Sequence, residues 1–208
     1  MIDEEKKNIY QNFLDDIESL SLKNLRILIG VSGGQDSSVL LHLCSMLPRK
    51  FRVFGLYINH NLRNSAIAEE EFAKKKSKIY NIPIYIFRSQ AVKPRNQSIE
   101  MHARKIRYLA FEKYIKKLSC DIFLTAHHAN DNLETILMRL NDGAGLAGIR
   151  GIPKRNGFYY RPLLNFKKKS LEDFQKNENV DFIVDETNTD VSIKRNFYRH
   201  KLVAPWEN

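Results

Sequence analysis

Ser32-Gly33-Gly34-Gln35-Asp36-Ser37 is the segment of this chain with the clearest chemical purpose. Two glycines let a backbone approach an anion closely, and a following helix N-terminus offers free N–H groups and a positive dipole end. Ser32 and Ser37 add hydroxyl donors. The structural alternative is a glycine-rich turn with a serine N-cap. A turn has no need of Asp36, which would repel phosphates unless a divalent cation lay between them. Asp36 therefore points to magnesium shared with a pyrophosphate. The segment is not a Walker P-loop. Aligning Gly30 with the first glycine of GxxxxGK[ST] puts Gln35 and Asp36 where Gly and Lys belong.

A second constellation runs from Thr125 to Thr135, with His127, His128, Asp131 and Glu134 in close succession. Asp131 and Glu134 are spaced i, i+3 and share a helix face. They could hold a cation, or receive an amine and its proton. The alternative is an acidic first turn favoured by the helix dipole, with a histidine packed nearby. A third group, Arg104 and Arg107, lies on one face of a basic helical stretch. Basic clusters also occur at Lys74–Lys76, Lys167–Lys169 and Arg195–Lys201. Gly143 to Gly148 matches GxGxxG by letter. It follows a helical pattern, and Lys168 stands where the dinucleotide fingerprint needs an acid.

The surrounding pattern must hold these residues in place. Helical spacing over 3–22 puts Ile9, Phe13, Leu14, Ile17 and Leu20 on one face. Strands are expected at 26–31, 51–58, 82–87 and 121–126. Helices are expected around Ser37–Leu47, 66–80, 98–117 and 131–140. Strands separated by helices imply parallel pairing in a sheet covered on both faces, with ligands at the strands' carboxyl ends. Beyond residue 141 the pattern weakens. FYYRPLL (158–164) reads as a strand or extended segment, and FKKKSLEDF opens a helix. We expect a nucleotide-binding domain over 1–145 and a C-terminal extension over 146–208.

The chain has 208 residues, 43% hydrophobic and 28% charged, with a net charge of +10. A basic balance favours polyanionic partners. No run of about 18 apolar residues occurs, and the acidic N-terminus has no signal-peptide apolar region. A cytoplasmic location is the default. Cys44 and Cys120 stand far apart and outside any CxxC, which argues against disulfide, zinc and iron–sulfur frameworks.

The motifs SGGQDS, INHNLR, ARKIRY, TAHHANDNLETILMRL, GAGLAGIRGIP, RPLL, DETNTD and RNFYRHKLVAP occur in this order. In that order the chain resembles the tRNA(Ile)-lysidine synthetases over roughly residues 25–205. SGGxDS alone marks only the wider pyrophosphatase-loop superfamily. The resemblance implies an adenine nucleotide alpha-hydrolase-like, Rossmann-like α/β fold. It implies ATP-dependent activation of the wobble cytidine of an isoleucine tRNA with a CAU anticodon. Free L-lysine then displaces AMP at carbon 2 of the base. By the same resemblance Ser32, Gly33, Gly34, Gln35, Asp36 and Ser37 bind ATP phosphates with Mg2+, and Ile58 to His60 lie against the nucleotide. Arg104, Arg107, His127, Asp131 and Glu134 line the reaction centre. Arg195, Arg199 and Lys201 are the expected tRNA contacts. Arg195 and Arg199 could instead tie the last segment to the catalytic domain.

Two departures matter. Asn59 and Asn130 stand where family members often carry aspartate. Many members also continue into further helical and tRNA-binding domains. Rival readings are another pyrophosphatase-loop tRNA-modifying or amide-forming synthetase, or a non-catalytic nucleotide- or RNA-binding module.

Overall fold

A computed structural model describes residues 2–20, 24–59, 66–89, 99–145, 148–184 and 193–206. Its centre is a six-stranded sheet of order β3-β2-β1-β4-β6-β5. β1 (Arg26–Gly30) pairs in parallel with β2 (Arg52–Asn59) on one side and β4 (Ile122–Leu124) on the other. β3 (Ile84–Arg88) extends the sheet beyond β2. β6 (Tyr159–Tyr160) pairs in parallel with β4, and β5 (Arg155–Asn156) closes a short antiparallel edge. The expected extension from residue 146 thus contributes two strands to the same sheet.

Alternation of side chains along β1 and β4 divides the core into two layers. Ile27, Ile29, Ile122 and Leu124 face one layer, built on Phe13 and Ile17 of α1 (Ile2–Glu18) and Leu40 and Leu43 of α2 (Gln35–Ser45). Phe174 of α6 (Lys168–Asn177) joins them. Leu28 and Phe123 face the other layer, with Phe111, Tyr114 and Ile115 of α4 (Ile99–Lys117). Phe111 and Phe123 stack with ring centroids 4.0 Å apart. α3 (Ala66–Tyr80) connects β2 to β3, and α5 (Ala129–Asn141) follows β4. A Cβ on Gly55 of β2 would stand 2.7 Å from Ile84, so the close approach of β2 and β3 requires glycine there.

Several element ends differ from the sequence expectation for local reasons. β3 begins at Ile84 because Pro83 has no N–H; it enters the ladder through its carbonyl, which accepts from Gly55. β4 stops at Leu124, and residues 125–128 leave the sheet to build the site. α5 starts at Ala129, two residues earlier than expected, because His128 caps it. The FYYRPLL stretch is strand only at Tyr159–Tyr160, and the chain turns through 162–165. The last described segment is α7 (Lys194–Phe197), a π-helical turn (Tyr198–Val203) and α8 (Ala204–Trp206). Among the described residues no helix is long and apolar enough to cross a membrane.

Candidate functional site

The sheet order reverses between β1 and β4, where the two chain continuations diverge and leave a crevice at the strands' carboxyl ends. β1 delivers the SGGQDS loop to this point and β4 delivers the HHAND segment. The loop is held by its own side chains. Ser37 Oγ donates to the Gly34 carbonyl at 2.9 Å and lies 2.9 Å from Ser32 Oγ. Gly33 has φ +84°, the left-handed region that suits glycine. Its carbonyl accepts the Ile183 N–H at 2.8 Å, so the strap 180–184 backs the loop. Gly34 caps α2 with no side-chain hydrogen bond, which leaves the first-turn amides of α2 available to an anion. Gln35 turns away and meets Gln175 of α6 at 3.3 Å.

Asp36 faces His128 and Lys168. Its Oδ2 lies 3.6 Å from His128 Nε2, and its Oδ1 lies 3.7 Å from Lys168 Nζ. Burial pushes the Asp36 carboxyl up. The nearby ring N–H of His128, too distant at 3.6 Å for a hydrogen bond, and the charges of Lys168 and Arg199 outweigh it, and its pKa falls below the usual carboxylate value. His128 is wholly buried. It forms a capping box with Asp131: His128 Nδ1 accepts the Asp131 N–H, and Asp131 Oδ2 accepts the His128 N–H at 2.9 Å. With Nδ1 accepting, the ring proton is assigned to Nε2, directed at the carboxylates of Asp36 and Asp131.

Asp131 and Glu134 come together as expected, and two arginines already occupy them. Arg195 donates from Nη2 to Asp131 Oδ1 at 2.7 Å and from Nε to Glu134 Oε2 at 2.8 Å. Arg199 donates from Nε to Glu134 Oε1 at 2.7 Å, and its Nη2 lies 3.5 Å from Asp131 Oδ1. Glu134 has no exposed side-chain surface. Arg195 and Arg199, spaced i, i+4, thus fasten the terminal segment to α5. Lys201 is exposed.

His127 is half-buried, with Nδ1 2.8 Å from Thr125 Oγ1. Burial lowers its pKa to about 4. Asp131 opposes this, while Arg161, Arg195 and His128 add to it. Ile58 packs half-buried against the α4 layer. Arg107 is exposed on α4, and among the described residues it makes no hydrogen bond or ion pair to the carboxylates around Asp36. His60 and the DETNTD stretch, 185–190, lie outside the described residues. Among the described residues no three His, Cys, Asp or Glu side chains form a metal-holding group.

Sequence reasoning missed the role of His128 as cap and bridge, although an aspartate three residues after it is a capping-box signal. It also missed Lys168 beside Asp36, for which no local signal exists. The two amide departures have structural partners. Asn59 donates to Glu70 Oε1 at 2.7 Å, and Asn130 Oδ1 accepts the Lys168 N–H at 3.0 Å.

A family profile for the PP-loop domain matches residues 3–205. The chain belongs to the PP-loop family. Among curated proteins it is 38% identical over 202 residues to a tRNA(Ile)-lysidine synthase of Thermosipho africanus, covering 94% of this chain and 47% of that one. A tRNA(Ile)-lysidine synthase of Clostridium acetobutylicum is 36% identical over 192 residues, covering 89% of this chain and 42% of the relative. The chain therefore spans about half the length of the curated relatives it matches. Among solved PP-loop-like structures, the U34-tRNA thiolase of Methanococcus maripaludis superposes with a TM-score of 0.70 at 14% identity, over 97% of this chain and 78% of that one. The NH3-dependent NAD synthetase of Campylobacter jejuni superposes with a TM-score of 0.58 at 16% identity, over 99% of this chain and 88% of the other. At these identities the likeness is one of fold.

Proposed function

We propose that this PP-loop domain catalyses ATP-dependent lysidine formation on an isoleucine tRNA with a CAU anticodon, with free L-lysine as the amine donor. One observation carries the reading. Three segments that carry the resemblance to the lysidine synthetases, SGGQDS, HHANDNLET and RNFYR, converge at the β1–β4 crevice through Asp36, His128, Asp131, Glu134, Arg195 and Arg199.

In this reading the phosphates of ATP lie on Ser32 to Ser37 and the first-turn amides of α2, with Ile58 and His60 flanking the nucleotide. Asp36 would hold a magnesium ion through its single carboxylate, with phosphate and water suited to complete the oxygen donor set that ion prefers. The ion would neutralise charge developing on the departing pyrophosphate. Lys168, Arg195 and Arg199 bring positive charge to the same place, and Arg107, exposed on α4, is assigned to the reaction centre by the family resemblance alone. Asp131 and Glu134 act first as positioning residues, because both are engaged by arginine. A lysine ammonium can reach them once the arginines turn toward bound phosphate, which makes lysine binding follow ATP. His127, its pKa lowered to about 4, stands as a neutral imidazole at pH 7 and adds no charge to repel the lysine ammonium; so weak a base does not itself take the amine's proton. Exposed Lys201 then joins the tRNA contacts, with Arg195 and Arg199 at their edge.

Sulfur transfer, the activity named for the thiolase of similar fold, is opposed by the two cysteines. Both are buried, and burial raises both thiols, Cys120 to about 11. The test is incubation with ATP, magnesium, labelled lysine and transcribed isoleucine tRNA, followed by nucleoside analysis. Labelled lysidine is expected. ATP–pyrophosphate exchange that depends on tRNA but yields no lysidine would reject the reading in favour of another transfer.

A further inference from the structure

Most buried or half-buried cations around the crevice face a carboxylate. Lys168 faces Asp36, Lys154 faces Asp16, and Arg195 and Arg199 face Asp131 and Glu134. Arg161 is the exception. It is 8% exposed, and among the described residues no carboxylate pairs with it. Its Nη1 donates to the Pro153 carbonyl at 2.6 Å, while its buried Nε has no protein partner. Leaving a buried guanidinium uncompensated is costly. Burial lowers the Arg161 pKa, and the neighbouring Arg104 lowers it further against the phenol of Tyr108. Arg104, which donates from Nη2 to Tyr108 Oη at 3.3 Å, adds a second positive charge in the same neighbourhood, and among the described residues no acid is paired with either arginine.

A second orphan points to the same place. The Tyr159 hydroxyl is buried without a protein partner. Residues 159 and 161 share one face of an extended chain. Tyr159 packs edge-on against Tyr108, centroids 5.3 Å apart, and Arg104 lies over the Tyr108 ring, 5.3 Å from its centroid. Glu112 is the acidic neighbour of Tyr159, and it is exposed on α4. Arg161 directly follows β6, whose Tyr160 carbonyl accepts the Thr125 N–H at 3.1 Å. The group therefore sits at the same carboxyl edge as the HHAND segment. His127 lies within the fields of both Arg161 and Asp131.

We propose that Arg161, Tyr159 and Arg104 form an oxyanion pocket for the α-carboxylate of the amino-acid substrate. This rests on the amino-acid-transfer reading above. A guanidinium fork matches the two oxygens of a carboxylate. At 8% exposure Arg161 is shielded from a polynucleotide backbone, which leaves a small free molecule as the anion to meet it. With the carboxylate there, the long side chain of lysine runs past His127 toward Asp131 and Glu134. One end of the substrate is then read by cations and the other by acids. The pocket thus discriminates a free amino acid from a plain diamine.

The test is calorimetric titration of the ATP-loaded protein with L-lysine and with cadaverine, which is lysine without its carboxylate. In the wild type lysine should bind on the order of tenfold to a hundredfold more tightly. Arg161→Met should collapse that ratio toward one. Tyr159→Phe, which keeps the ring packing and guards against a folding defect, should reduce it about three- to tenfold. A wild-type ratio near one, or a ratio surviving both substitutions, overturns the pocket. Weakened tRNA binding by Arg161→Met with the ratio intact would assign the guanidinium to phosphate and equally overturn it. Lysidine formation is followed alongside. A persistent lysine preference without lysidine would discard the transfer reading and keep the pocket.

Discussion

Replacing Glu134 by glutamine strikes the most enclosed charge in the site. The carboxylate has no exposed surface and accepts from Arg195 at 2.8 Å and from Arg199 at 2.7 Å and 3.3 Å. A fully buried pair costs about 3–5 kcal/mol to break from one side, and an exposed pair about 0–1 kcal/mol. Arg195 and Arg199 are 39% and 26% exposed, so water compensates part of their charge. Glutamine also keeps one acceptor. We therefore expect Glu134→Gln to cost about 2–3 kcal/mol. For a chain of this size each kcal/mol moves Tm by roughly 2–4 °C, giving a fall of about 4–12 °C. Arg199→Met should cost less, because Arg195 remains on Glu134. The double variant should cost less than the sum of the singles by about 1–2 kcal/mol. Urea unfolding of the four proteins measures this coupling, and hydrogen exchange over 194–203 should show the terminal segment loosening first. A coupling below about 0.5 kcal/mol would refute the latch and leave Arg199 a surface cation free for tRNA.

The other expectations are brief. Asp36→Ala should abolish ATP-dependent turnover with the circular dichroism spectrum unchanged, since its carboxylate is a third exposed and lies outside the core; undiminished turnover would refute its role. Lysine affinity should rise severalfold once ATP is bound, and a calorimetric titration showing no ATP dependence would end the ordered-binding argument. Lys201→Ala should lower the log–log salt slope of tRNA binding by about one; an unaltered slope would remove that contact. The folded pKa of His127, about 4, lies below its unfolded value of about 6.5. The unfolded chain thus binds the proton first, and stability should decline as pH falls from about 6.5 toward 4 and level off below. An NMR titration showing the His127 ring protonating near pH 6.5 would contradict this.

What was legible in the sequence followed from periodicity. Ile27, Leu28 and Ile29 form an unbroken apolar run because both faces of β1 are covered, and the helices between strands repeat the 3.6-residue spacing. Strands as short as Tyr159–Tyr160 have no period to detect; the turn at 162–165 and pairing with β4 define them. Chemistry was legible where it is local, as in SGGQDS and the Asp131–Glu134 spacing. It was hidden where partners are distant in sequence. Arg195 reaches Glu134 across 61 residues, and a basic helical stretch gives no sign of whether it faces solvent or acid. Arg161 was hidden for the opposite reason: its neighbours within RPLL are apolar, and its want of a counter-charge appears only in three dimensions.

The two amides in place of acids separate on the same grounds, and this yields a final prediction. Asn59 is buried at the tip of β2, and its amide N–H donates to Glu70 Oε1. Glu70 is in turn bound by Arg88 through Nε at 2.9 Å and Nη2 at 2.6 Å. Hydrogen bonds from Arg88 and then Asn59 hold the Glu70 carboxyl below its usual value. An aspartate at 59 would exchange a donor for a second carboxylate against Glu70, so that Arg88 would face two acids. Asn130 differs, because the bond it makes to the Lys168 N–H uses its carbonyl oxygen as acceptor. An aspartate retains that acceptor and places negative charge at the N-terminus of α6, where the helix dipole favours it. Asn59→Asp should therefore destabilise by about 1–3 kcal/mol, the cost of an unmet buried polar contact. Glu70→Gln, which restores a donor opposite residue 59, should recover most of the loss. Asn130→Asp should cost less than Asn59→Asp, because the acceptor for the Lys168 N–H is kept. Thermal unfolding of the three variants decides: if Asn59→Asp is neutral and Asn130→Asp is not, residue 59 does not owe its amide to Glu70.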